Sequence, residues 1–155
     1  MKLGLNLFEI KKEIRDKLCK ILKTRFSRVY TNNSRPRSIG AAPIVAIHTS
    51  EEKYQTKVLH PRVYDCELSL AIEITKRESK KIEDEIDDLS SEVNKLVCAV
   101  LKKNIDLLSV ETDFDSETDD PIGGCRLNYR VVYEVQAPAV SEEYKKFKGG
   151  NIDFI

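Results

Sequence analysis

Val63–Thr75, VYDCELSLAIEIT, decides the fold. Tyr64, Cys66, Leu68, Leu70, Ile72 and Ile74 occupy every second position, and Asp65, Glu67, Ser69, Glu73 and Thr75 fill most of the gaps. A period of two puts one apolar row on one face of an extended strand. A typical strand runs about 5–6 residues, so this one is long enough for a central strand or a projecting hairpin arm. After a short polar turn the period changes. Ile82, Ile86, Leu89, Val93, Leu96, Val97, Val100 and Leu101 recur at spacings of three and four. That is a helix with one apolar stripe, expected over Ser79–Lys103 with Ser79 as its cap. An apolar strand face followed by an apolar helix stripe makes a two-layer α+β core.

Working back to the start, Asn6–Thr24 reads as a helix with the stripe Leu7, Ile10, Ile14, Leu18, Ile21 and Leu22. Asn6 and Glu9 have the spacing of a capping box. The other face carries Lys11, Lys12, Arg15, Lys20 and Lys23. Ser27–Thr31 is a short strand, and NNSRPRSIGAA is a loop holding Arg35 and Arg37 around Pro36. Pro43 opens PIVAIHTS, a short and nearly continuous apolar run expected to be covered on both faces. His48 within it reads as a packed side chain rather than a catalyst. Glu51–His60 reads as a polar connector at the flexible tip of a long hairpin arm. Its flanking strands are Ile44–Thr49 and Val63–Thr75.

Toward the end, Leu107–Glu117 is a strand in which Leu108, Val110, Thr112 and Phe114 share a parity. TDDPIGG, Thr118–Gly124, is a turn signal. In CRLNYRVVYEVQA, residues 125–137, Cys125, Leu127, Tyr129, Val131, Tyr133 and Val135 alternate with mostly polar neighbours. The expected architecture is therefore a mostly antiparallel sheet packed against two amphipathic helices, in the order α-β-β-β-α-β-β. Residues 1–137 form one domain and 138–155 a flexible tail, since Gly149 and Gly150 separate its polar part from Ile152, Phe154 and Ile155.

Composition narrows the function. The 155 residues hold 41% apolar and 34% charged side chains, enough for a single domain with a core. No apolar run reaches the ~18–20 residues of a membrane span. Cys19, Cys66, Cys98 and Cys125 contain no CxxC, and His48 and His60 lack zinc-ligand spacing, so the cysteines read as small buried hydrophobes in a reducing compartment. There is no GxSxG, P-loop, GxGxxG or HExxH, so neither an enzyme nor a bound cofactor is expected. Asp113, Asp115 and Glu117 are spaced as in a calcium loop. The match stops there, because Thr118 stands where glycine is needed and Gly124 where glutamate is. A solvated hairpin tip that keeps an edge from aggregating is the simpler account.

The net charge of zero hides a division. Residues 1–62 hold 14 Lys and Arg against 5 Asp and Glu; residues 63–155 hold 12 against 21. A protomer with unlike surfaces suits head-to-tail association, which closes into a ring when the rotation permits.

The element order, with LFEIKKEIRDKLCKIL followed by RVYT, then PIVAIHTSEE, RVYDCELSLAIEI, IEDEIDDLSSEVNKLV and RLNYRVVYEVQ, resembles the tail terminator or tail-completion proteins of long-tailed bacteriophages, the minor tail protein U type. The likeness covers residues 7–137, with Tyr133 standing for a tyrosine near the end of the family's last strand. It implies a non-enzymatic structural protein of a phage or prophage. Such a protein forms a homo-oligomeric ring, a hexamer, made in the bacterial host cytoplasm and placed at the head-proximal end of the virion tail. Its partners would be its own copies, the tail tube protein and a head-completion or connector protein, with no membrane and no sequence-specific nucleic acid. Arg35, Arg37, Glu51 and Glu52, read as loop residues, are the candidate inter-subunit contacts. Two alternatives stay open: another neck component of the virion, and a small regulatory or nucleic-acid-binding module using the basic face of the first helix.

Overall fold

A computed structural model describes residues 7–31, 42–77, 81–115 and 122–137. Helix α1, Leu7–Leu22, forms because its apolar residues return every three or four positions. Ile10, Ile14, Leu18 and Leu22 are each at most 1% exposed, so that stripe is a core face. The helix closes on backbone bonds from Lys23 N–H to Cys19 C=O and from Phe26 N–H to Leu22 C=O. Helix α2, Ile82–Leu101, buries Ile82, Ile86, Val93, Val97 and Leu101. It starts three residues later than expected. Lys81 stands at its N-cap with no side-chain cap bond, and Ser79 and Asn6, the expected caps, lie outside the described residues. At its other end Lys102 has φ 48° and begins a 3-10 turn, Lys102–Asn104.

The strands are β1, Arg28–Thr31; β2, Ile44–Leu59; β3, Arg62–Arg77; β4, Ile105–Asp115; and β5, Ile122–Gln136. They make one sheet in the order β1-β2-β3-β5-β4. Among the described residues only the β1–β2 pair is parallel. The α+β class and the mostly antiparallel sheet under two helices are as the sequence predicts.

Register explains the core. Val45, Ile74, Cys125 and Thr112 stand in one row across β2, β3, β5 and β4; Ile47, Ile72, Leu127 and Val110 form the next. Both helices cover this face, and the strand residues of these rows from β2, β3 and β5 join the stripes of α1 and α2 in one cluster. As expected for PIVAIHTS, β2 starts covered on both faces: Ile44 and Ala46 are buried on one side and Val45 and Ile47 on the other.

Two other boundaries move. Glu51–Leu59 is not a connector but the outer half of β2, paired with β3 almost to the turn. Backbone pairing does not need apolar side chains, so a wet strand shows no alternation. Ile122–Gly124 is likewise not turn but strand, paired with β3 at Thr75–Arg77. Glycine is required at position 123 because a Cβ there would come 2.6 Å from Ile82 Cγ1.

Candidate interaction surface

The base of the arm is set by a β-bulge. Thr49 pairs with Leu70, but the next pairing is Glu52 with Leu68, so β2 carries one extra residue. The extra residue reverses the parity of the strand as far as a further register shift between Thr56 and Val58. Glu52 is turned onto the helix-facing side, while Glu51 stays exposed. The Glu52 side chain is 8% exposed. Its carboxylate accepts hydrogen bonds from the Tyr54 hydroxyl at 2.6 Å and the Tyr133 hydroxyl at 2.9 Å, and Lys11 Nζ of α1 stands 3.7 Å away. Tyr54, Cys66 and Tyr133 stand in one row across β2, β3 and β5. Tyr64 meets Tyr54 edge-on, with ring centres 6.0 Å apart.

An open groove of about 710 Å³ runs along this row, lined also by Lys103 and Asn104. Burial first, then the Glu52 and Asp65 carboxylates, push the Cys66 thiol up to about 11. Burial, then the bond to Glu52, also raises the Tyr54 and Tyr133 hydroxyls. At neutral pH these groups keep their protons: the hydroxyls are donors and the thiol is not a thiolate nucleophile. The arrangement locks α1 to the arm.

The face of the sheet away from the helices is a polar lattice. Arg126 Nη1 donates to Glu73 at 2.6 Å, and the other Glu73 oxygen lies 3.2 Å from His48 Nε2. Asn128 accepts from Arg126 and donates to Ser109. Arg130 joins Asp106 at 3.0 Å and approaches Glu67 at 3.9 Å, and Lys57 bonds Glu134. His48, expected as a packed side chain, is half-buried in this lattice.

The two edges differ in charge. Among the described residues the positive surplus lies on α1, which carries Lys11, Lys12, Arg15, Lys17 and Lys20 against Glu9, Glu13 and Asp16 and packs on β1 and β2. The negative surplus lies on α2 and on β4, at the far edge of the sheet. Strand β4 carries Asp106, Glu111, Asp113 and Asp115 and no Lys or Arg. It also exposes Leu107, Leu108, Val110 and Phe114 by 36–58%. A bulge in β4, between Leu107 and Ser109, takes Leu108 out of the expected parity, so that Leu107 rather than Leu108 shares a face with Val110 and Phe114.

Of the residues singled out in the sequence, Arg35, Arg37 and Glu117 lie outside the described residues, as does the tail 138–155. Glu51 and Glu52 are in strand β2, not in a loop, and point to opposite sides. Asp113 and Asp115 share the outer parity of β4 with Glu111. Among the described residues, no three His, Cys, Asp or Glu are grouped to hold a metal ion. Among the cysteines, Cys66 and Cys125 are buried and Cys19 is half-buried, but Cys98 is exposed because it falls beside the α2 stripe rather than on it. Among the described residues no helix is long and apolar enough to cross a membrane. Two features had no sequence signal beyond ordinary strand residues: the Tyr54–Glu52–Tyr133 network, which depends on the bulge, and the apolar β4 edge, which depends on strand order. Compared with known proteins, the chain matches no family model and no curated sequence.

Proposed function

We propose that this chain is a structural subunit of a phage or prophage tail. Copies form a closed ring, a hexamer, on the head-proximal end of the tail tube. One ring face complements the last ring of tube protein; the other refuses a further tube subunit and receives a head-completion protein. The mechanism is steric and interfacial and involves no bond chemistry. The element order and segment likeness over residues 7–137 suggest this reading. The observation that carries it is the charge arrangement: α1, which packs over β1 and β2, carries Lys11, Lys12, Arg15, Lys17 and Lys20 against Glu9, Glu13 and Asp16, while β4 at the opposite edge carries four acids and no Lys or Arg. Unlike edges cannot be satisfied by a two-fold contact of identical patches, and they favour a head-to-tail contact, which a ring closes. The outer half of β2 supplies a second, separate surface, since it is exposed from Lys53 to Leu59.

The test is tube growth. The purified protein, added to polymerising tail tube protein, is expected to give tubes of arrested length with a ring at one end in electron micrographs. Tubes that grow unchanged with no terminal density would overturn the reading.

A further inference from the structure

We infer that the β4 edge, with the flank of α2 beside it, is a docking surface for the β1 edge and α1 flank of a second copy of this chain. The contact itself needs only self-association; its closure into a ring rests on the function proposed above.

Four observations converge. First, β4 is an edge strand with a row of exposed apolar side chains, Leu107, Val110 and Phe114, on the helix-facing side. Edge strands present backbone donors and acceptors ready to pair with another chain. Second, the strand is acidic throughout, so pairing with its own copy would set like charges opposite one another. That disfavours a two-fold β4–β4 contact and selects a basic partner. Third, the flank of α1 on the opposite side of the same molecule is basic. Glu13 and Lys17 of α1 line the cleft toward α2. At about 100° per residue, Lys12, Arg15 and Lys23 then fall on the flank away from α2. By the same geometry, Glu83 and Asp87 fall on the α2 flank toward β4, next to Asn94, which bonds Tyr129 of β5. Fourth, the strand directions fit. β1 is parallel to β2, and each later neighbour reverses direction, so β1 and β4 run oppositely. A second copy placed beside β4 with its helices on the same side pairs its β1 antiparallel. The acidic α2 flank then faces the basic α1 flank across the seam.

The seam has a built-in probe. Arg25, in the turn that follows α1, meets Glu92 of α2, and Glu13 shares a cleft with Val100–Asn104, so Cys19 and Cys98 lie at a similar level on the antiparallel helices. Cys98 is on the β4 flank of α2 and Cys19 on the outer flank of α1, so the seam brings Cys98 of one copy toward Cys19 of the next.

Two full-length variants test this. One reverses the basic flank, with Lys12→Glu, Arg15→Glu and Lys23→Glu. The other reverses the acidic one, with Glu83→Lys, Asp87→Lys, Glu111→Lys and Asp113→Lys. Circular dichroism and melting check that both fold. Light scattering is expected to show self-association of the wild type. Each variant alone should associate at least tenfold more weakly, and an equimolar mixture should regain association, because each reversed flank then meets its complement. A short bismaleimide should join Cys19 to Cys98 between copies. The inference fails if folded variants associate as the wild type does, if the wild type is monomeric at every concentration and ionic strength, or if cross-links run only from Cys98 to Cys98. The two proposals separate cleanly. A ring that survives both reversals would sink this contact and leave the tube-capping role standing. Charge-dependent open chains with the Cys19–Cys98 cross-link would keep the contact and sink the ring.

Discussion

Glu51 and Glu52 are adjacent, identical in chemistry and opposite in surroundings. Glu51 is in water, whereas Glu52 accepts from two tyrosine hydroxyls and faces Lys11. Replacing Glu52 with alanine leaves the Tyr133 hydroxyl, on a residue only 6% exposed, without its acceptor. An unsatisfied buried polar group costs about 1–3 kcal/mol. Exposed Glu51→Ala should stay within about 0.5 kcal/mol of wild type. Urea denaturation of the two variants decides it, and equal midpoints would mean that the network does not hold the arm. The same site sets an alkaline limit. The Cys66 thiol is raised from an ordinary 9.0 to about 11. The folded state therefore keeps a proton that the unfolded chain sheds first, so stability falls as pH rises from about 9 to 11. Tyr54 and Tyr133, raised as well, extend the fall above pH 10. Melting temperature against pH should decline over this window in the wild type and decline less steeply in Cys66→Ala.

Among the elements, α2 ends under strain. Lys102 has φ 48° and ψ −119°, a region that side-chain-bearing residues rarely occupy. Such a conformation costs about 1–3 kcal/mol, and glycine adopts it without that cost. Lys102→Gly should therefore stabilise the fold by about 1 kcal/mol, a rise of about 2–4 °C in melting temperature for a chain of this size, while Lys102→Ala should not. A glycine variant that melts lower than the alanine one would contradict the strain. Both helices, the long β3 and the inner half of β5 were legible because each buries one face, and burial imprints a period of 3.6 or 2. The outer half of β2 was not, since KYQTKVL is wet and its pairing is a backbone affair. Nor were the bulges, which change parity by one residue without a residue type that announces it. Glu51 and Glu52 were legible as a notable pair, yet which of them faces inward is decided by the bulge alone. Ile122–Gly124 looked like a turn because glycine serves both turns and close approaches, and here Ile82 demands the second use.

At the scale of the whole molecule, two forces can hold β4 to a neighbour, and their sizes differ. Exposed ion pairs contribute about 0.2–1 kcal/mol each. Three cations on the α1 flank therefore supply about 0.6–3 kcal/mol, and salt screens them over a Debye length of about 8 Å at physiological ionic strength. The apolar row is stronger. Fully burying a side chain the size of valine, leucine or phenylalanine is worth about 1.5–3 kcal/mol. Leu107, Val110 and Phe114 begin 36–50% exposed, so covering them yields roughly 2–4 kcal/mol. Charge should thus choose the partner and the direction, while apolar burial supplies most of the affinity. High salt is then expected to weaken self-association by no more than about a hundredfold, the ceiling set by about 3 kcal/mol at 1.4 kcal/mol per decade. Leu107→Ser with Val110→Ser should weaken it further than salt does, while changing the melting temperature far less than a core substitution would, because both side chains are about half exposed. Sedimentation velocity of wild type and double variant at low and high salt measures both terms together. If salt alone dissociates the wild type completely and the serine pair does nothing, the contact is electrostatic and the β4 row is not buried in it.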